Sequence, residues 1–161
     1  MAVGAASWSF TEDDFGAITL SLQKFLFESN ARCALLVDRT GQLVATVGEQ
    51  PTFDATAFAT LTAADFSAND QLAKLIGEPD FNSLFHQGEK ESMYLADVAR
   101  RVILVVLFDT RTTLGLVRLK MKETVQDLTK LFEGVFTRGA GEAQPPGLLS
   151  GAEDEIDKLF G

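Results

Sequence analysis

The sequence has 161 residues, of which 46% are hydrophobic, so it is long enough for one domain with a packed core and some additional chain. Its formal net charge of −9 argues against nucleic acid or an anionic membrane surface as a partner. Cys33 is the only cysteine, which excludes an internal disulfide and fits a reducing cytoplasm. The apolar run at 102–108 is too short to span a bilayer. The sequence therefore predicts a cytoplasmic protein without membrane insertion.

The first predicted elements are a helix and two strands. Thr11 and Asp14 have the spacing of a capping box, and apolar residues at helical spacing follow to about Asn30. The continuous apolar run at 33–37 predicts a strand that is covered on both faces. After a turn at Gly41, residues 42–47 alternate between polar and apolar, as in a strand with one wetter face.

A second predicted helix, from a cap at Asp54 to about Ile76, is rich in small residues. Its only charges between residues 56 and 71 are Asp65 and Asp70, whereas a solvated helix surface normally carries more. Small residues in rows allow two helices to approach closely. Packing on the protein's own sheet is one explanation, but we favour contact between two subunits. The predicted dimer-interface residues are Ala59, Thr60, Ala63, Ala64 and Ala68.

The second half of the folded region is predicted to hold further strands and a long helix. Residues 81–85 suit a strand or a helical turn, and 92–96 and 101–108 are predicted strands. Thr112 or Thr113 caps a last helix to about Arg138. The predicted apolar stripe of this helix comprises Leu116, Leu119, Leu128, Leu131, Phe132 and Val135.

The end of the sequence differs in composition from the rest. Residues 139–147 (GAGEAQPPG) predict a flexible linker. Residues 148–161 predict an amphipathic binding helix, with acids opposite the apolar residues Leu149, Ile156, Leu159 and Phe160. The predicted organisation is thus a flexible N-terminus at 1–10, a folded domain at 11–138, the linker, and the binding helix.

Catalytic residues are not apparent. His86 is the only histidine, and we interpret it as a structural or exposed side chain near a turn. Cys33 has no activating neighbour in sequence, and we interpret it as a buried, inert thiol. The phosphate-binding patterns GxxxxGK[ST] and GxGxxG are absent, and no metal or cofactor is predicted. One interpretation of the arginines near turns is that one of them acts as an arginine finger on another protein. The interpretation we favour is that they are solvated surface side chains. These arginines are Arg39, Arg100, Arg101 and Arg111.

Three motifs carry a family resemblance. They are LAKLIGE at 72–78, FHQGEKESMYL at 85–95 and VILVVLFDTRTTLGLVRLK at 102–120, and the final EDEIDKLFG adds to them. Together with the element order, they closely resemble the Roadblock/dynein light chain family and its MglB-like regulators of bacterial polarity and gliding motility. The resemblance spans about residues 15–136. It implies an α/β (α+β) three-layer sandwich of order α-β-β-α-β-β-β-α, with helices on both faces of a five-stranded, mostly antiparallel sheet.

The resemblance also implies a function. Such a protein forms a homodimer through its second helix and a sheet edge, and two copies bind one small Ras-like GTPase of the MglA-like kind. The dimer accelerates GTP hydrolysis by reorganising the GTPase's own catalytic residues, and the final helix docks on the GTPase and tunes its nucleotide exchange. The implied GTPase-binding residues are Asp65, Phe66, Ser67, Asp70 and Gln71, with Leu149, Ile156, Leu159 and Phe160. Where family members often have small residues, this sequence has larger or polar ones at 65, 66 and 69–71.

Two other classes of function remain open at this point. A Roadblock module can assemble a polarity complex, with other polarity proteins as partners, without activating a GTPase. A profilin-like or PAS-like small-molecule sensor ranks last, because no cluster of aromatic and polar residues specifies a ligand. The resemblance adds enrichment at a cell pole to the expected cytoplasmic location.

Overall fold

The computed structural model describes residues 10–142, with the side chains of residues 10–137. Residues 1–9 of the predicted N-terminus, residues 143–147 of the predicted linker and the whole predicted binding helix lie outside these residues. Phe10, the last residue of the predicted flexible N-terminus, packs against Phe15 and Phe132. The elements are α1 Glu12–Ser29, β1 Cys33–Asp38, β2 Leu43–Gly48, α2 Ala55–Leu75, β3 Ser83–Gln87, β4 Ser92–Val98, β5 Val102–Phe108 and α3 Leu114–Glu142.

The five strands form one antiparallel sheet in the order β2-β1-β5-β4-β3. Every residue of β1, an interior strand of the sheet, is buried, as the continuous apolar run predicts. Helices α1 and α3 pack together on one face of the sheet, and α2 covers the other face. The predicted three-layer fold and element order are confirmed. Of residues 81–85, left open between strand and helical turn, residues 83–85 belong to β3.

Local capping explains where the helices begin. The Thr11 hydroxyl accepts from the Asp14 amide at 3.1 Å, and the Asp14 carboxylate accepts from the Thr11 amide at 2.8 Å. At α2, the Asp54 carboxylate accepts from the amides of Thr56 and Ala57. At α3 it is Thr113 whose hydroxyl accepts from a helical amide.

The predicted stripe of α3 is wrong at two positions. Leu116 and Leu119 are 36% and 56% exposed, and Val117 and Met121 occupy the sheet-facing positions instead. The leucines have approximate helical spacing, but the rotation between 119 and 128 places them on different sides of the helix. The helix also continues to Glu142, past the predicted end at Arg138, because glycine near a helix end costs only about 1 kcal/mol.

The turn between β4 and β5 has an unusual backbone. Ala99 and Arg100 both have positive φ, at 54° and 57°. Two consecutive left-handed residues form the tight hairpin turn that usually contains asparagine and glycine. Each non-glycine residue in this region costs about 1 kcal/mol. The turn is therefore held by the strands on either side rather than by its own preference.

Candidate partner-binding surface

The outward side of α2 carries apolar residues that nothing in the described part of the chain covers. Leu61, Leu72 and Leu75 are 68%, 57% and 81% exposed. Between them lie Ala64 and Ala68, which are also exposed. We call these five residues the α2 strip. Their spacing of three and four residues is typical of a helix that packs against another helix, and the alanines permit close approach at its centre.

The α2 strip lies beside an open edge of the sheet. Asp65 belongs to the same side of the helix, and its carboxylate is 2.6 Å from Nε2 of His86 on β3. Among the described residues, β3 pairs only with β4, so its other edge has free backbone donors and acceptors. An apolar helix side and an open strand edge therefore adjoin, and both are suited to contact with another chain.

The structure divides the predicted dimer-interface residues between two sides of α2. Ala64 and Ala68 lie in the exposed strip. Thr60 is exposed on the opposite flank, where its Cα approaches Gly41 of the β1–β2 turn. Ala59 and Ala63 are 0% and 8% exposed because they pack on the sheet, so their placement on the subunit surface is wrong. Two rows of small residues have equal hydrophobicity, and periodicity could not decide which row faces the core.

The predicted GTPase-binding residues of α2 are also divided. Ser67 and Gln71 are exposed. Phe66 is fully buried in the core, so its side chain does not lie on the binding surface as predicted. Asp65 and Asp70 are partly buried and each is engaged within the subunit. Leu149, Ile156, Leu159 and Phe160 lie outside the described residues.

Asp70 is engaged by Arg39, from the turn that follows β1. Nη1 of Arg39 is 2.7 Å from Oδ2 of Asp70, and Nη2 contacts Oδ1 of Asp97 on β4. The guanidinium also lies 5.0 Å from the ring centre of Phe66. Burial alone would lower the pKa of Arg39, but hydrogen bonds to Asp97 and Asp70 outweigh it and raise this pKa. Sequence reasoning placed Arg39 in solvent, since no local signal reports such distant partners.

A cleft of about 350 Å³ opens next to this arginine, between the end of α2 and the β4–β5 turn. Ser67 and Asn82 lie along it, and its charges cancel. The cations are Arg39, Lys74 and Arg100, and the anions are Asp70, Asp80 and Asp97. Because the net charge is zero, the cleft suits polar protein side chains better than a free phosphate.

The remaining arginines differ in their surroundings. The side chain of Arg100 is 80% exposed and donates to Asp80 at 2.9 Å, and its backbone amide donates to Asp97. Arg101 lies 4.7 Å above the ring centre of Phe136. Arg111 is half-exposed and donates to Asp109 and Glu49, so it is ion-paired rather than freely solvated. The hydrogen bond from Arg111 is the main cause that lowers the pKa of Glu49 and also that of Asp109.

The described residues give little support for a catalytic site within the subunit. Cys33 is 3% exposed, and burial raises the pKa of its thiol, so the thiolate is disfavoured. Among the described residues, no three metal-ligating side chains converge. No helix in the same part of the chain is long and apolar enough to cross a membrane.

Comparison with known proteins agrees with this fold. The Roadblock/LC7 domain family matches residues 18–108. The structure of Myxococcus xanthus MglB is 45% identical with a TM-score of 0.72, covering 74% of this chain and 98% of that one. The gliding protein MglB from Thermus thermophilus is 32% identical with a TM-score of 0.74, covering 80% and 97%. An MglB with tetrameric arrangement is also 32% identical, with a TM-score of 0.75 and the same coverage. A search of curated proteins gives no match. The chain belongs to the Roadblock/LC7 family, among its MglB-like members.

Proposed function

We propose that this protein is a homodimeric regulator that binds a small Ras-like GTPase of the MglA-like kind and stimulates its GTP hydrolysis. The observation that carries this proposal is the exposed α2 strip beside an open β3 edge, in a chain 45% identical to MglB over most of its length. Two copies pair through the strip and the edge. One GTPase then binds across the paired α2 helices.

The polar flank of α2 supplies the contact with the GTPase. Ser67 and Gln71 are exposed there, and Ser67 also lines the cleft at Arg39. Neither side chain is an acid or a base that could take part in hydrolysis near neutral pH. The regulator therefore acts by holding the GTPase in its reactive arrangement, and the catalytic groups belong to the GTPase. An increase in hydrolysis rate of this kind comes from positioning of the reacting groups and from pre-organised electrostatics.

Single-turnover GTP hydrolysis tests this function. A cognate Ras-like GTPase is measured alone, with the wild-type regulator and with a Ser67→Arg, Gln71→Arg variant. Stimulation by the wild type, and its loss in the variant with the dimer intact, is the expected result. Binding without any stimulation would instead establish the alternative function, a scaffold that assembles a polarity complex. The scaffold is favoured by one observation, since Asp65 and Asp70 are already engaged inside the subunit.

The sequence after α3 contributes a second contact in this proposal. Residues 148–161 dock on the GTPase through Leu149, Ile156, Leu159 and Phe160, and the preceding residues act as a tether. A tethered segment has an effective concentration in the mM range, so even a weak contact matters. Truncation after Glu142 should leave the dimer and its melting temperature nearly unchanged and weaken GTPase binding or alter nucleotide exchange. Ile156→Asp with Phe160→Asp should have the same effect.

The proposed cellular location is the cytoplasm, with enrichment at one pole. A fluorescent fusion in a rod-shaped host that carries the cognate GTPase tests it, and a uniform signal would contradict polar enrichment.

A further inference from the structure

A second opening lies on the face of the sheet opposite α2, between α3 and strands β3 and β4. Its volume is about 460 Å³, and we call it the α3 groove. Tyr94 and Met121 form a buried apolar part, with 7% and 2% exposure, and Val125 adds to it. Arg118 and Lys122 line the same groove from α3. The groove thus combines an apolar floor with a basic side.

The two basic side chains are not paired with the one carboxylate that lines the groove, because Asp97 contacts Arg39 instead. Neither Arg118 nor Lys122 forms an ion pair among the side chains of residues 10–137. The guanidinium of Arg118 lies 5.9 Å from the ring centre of Tyr94, which holds it over the groove. Like charges one helical turn apart destabilise an isolated helix. In a protein of net charge −9, this pair is suited to an acidic ligand.

The sequence contains one segment with the complementary chemistry. Residues 148–161 include four acids against the single base Lys158. The acids are Glu153, Asp154, Glu155 and Asp157, and the apolar residues are Leu149, Ile156, Leu159 and Phe160. We propose that, in the absence of a GTPase, this segment docks in the α3 groove of its own chain, with apolar side chains near Tyr94 and acids beside Arg118 and Lys122.

The length of the chain permits this contact within one subunit. From Glu142 back to Lys122, α3 covers about 30 Å at 1.5 Å per residue. Residues 143–156 span up to about 45 Å when extended, at about 3.3 Å per residue. The segment therefore reaches the groove with slack. The short tether also makes the effective concentration of the segment high, so that a weak contact is occupied for much of the time.

Docking in the α3 groove competes with the proposed contact between this segment and a GTPase. The same apolar side chains cannot occupy the groove and a GTPase at once. Docking on the regulator itself would therefore shield the segment until a GTPase is present and lower its apparent affinity for that GTPase by the docked fraction. The docking itself requires no GTPase, so its test is independent of the proposed function.

Disulfide trapping in the full chain tests the inference. In a Cys33→Ala background, Ala152→Cys is combined with Gln126→Cys, which lies on the groove. The matched control combines Ala152→Cys with Gln23→Cys, exposed on α1. Formation of the intrachain disulfide in glutathione buffer is followed by non-reducing gels and mass spectrometry. We expect the groove pair to close at least about tenfold faster than the control, in keeping with the raised local concentration.

Two further variants make the outcome decisive. Arg118→Glu with Lys122→Glu should slow the groove pair to the control rate, whereas Lys24→Glu with Lys130→Glu should not. A circular dichroism melt of each variant checks that it is folded. Equal rates for the two pairs overturn the inference. Faster closure at Gln23→Cys places the segment on α1, beside the exposed Leu20 and Phe27, and overturns it too. A disulfide mainly between two chains overturns docking within one chain, because the groove then takes a segment from another molecule.

Discussion

Nη1 of Arg39 lies 2.7 Å from Oδ2 of Asp70, and this ion pair fastens the turn after β1 to the second half of α2. The same guanidinium contacts Asp97 on β4, so three separate elements meet at one side chain. Asp70 is three residues from Ser67 and adjoins Gln71, the exposed residues in the proposed GTPase contact. The position of that surface is therefore controlled by a partly buried charge cluster.

Arg39→Ala should destabilise the subunit by about 1 to 3 kcal/mol, because two partly buried carboxylates lose their partner. Urea unfolding followed by circular dichroism measures the change. Arg100→Ala is the matched control, since its exposed pair with Asp80 contributes about 0 to 1 kcal/mol. Equal, small effects for both variants would show that the Arg39 cluster does not hold α2 in place.

Ala64→Arg should dissociate the proposed dimer. The long charged side chain enters the centre of the α2 strip, where close approach of two helices leaves no room for it. A cost of about 3 kcal/mol or more corresponds to at least a hundredfold weaker association. Light scattering over a dilution series measures the mass, with Gln23→Arg on α1 as control. A variant that stays dimeric at low concentration would show that Ala64 does not lie in the interface.

No arginine of this protein should act as a finger in GTP hydrolysis. Alanine substitution at Arg100, Arg101 or Arg111 should change the stimulated rate by less than about threefold, whereas loss of a finger costs about 10³ or more. Single-turnover hydrolysis at saturating regulator makes the comparison. An arginine whose removal abolishes stimulation without weakening binding would contradict the proposed mechanism.

Arg111→Gln should raise the pKa of Glu49. In the folded protein, hydrogen bonds from Arg111 and then Arg32 lower this pKa below its ordinary value of 4.5. A lowered carboxyl pKa means that the pair stabilises the fold above the unfolded pKa, and this stabilisation is lost as the pH falls through the folded value. NMR titration of the Glu49 carboxyl carbon gives the pKa directly, with Arg101→Gln as control. An unchanged titration would show that the pair is absent in solution.

The parts of the fold that the sequence predicts are those with local causes. The caps at Thr11 and Asp54 depend on residues within three positions, and the buried strands are continuous apolar runs. The side of α2 that faces the core was not predictable, because Ala59 and Ala64 have the same hydrophobicity. The partners of Arg39 are 31 and 58 positions away, and no periodic pattern reports such pairs. The roles of residues 148–161 remain predictions.

The turn at Ala99 and Arg100 has a consequence for the order of folding. Since both residues adopt a left-handed backbone that they disfavour, this turn is a poor starting point for a hairpin. We therefore expect pairing of β4 with β5 to follow the assembly of β5 against β1, across a long separation in sequence. Substitutions in the turn that change stability should therefore alter the unfolding rate and leave the folding rate nearly constant. Strands β4 and β5, which are close in sequence, would then be among the last to pair.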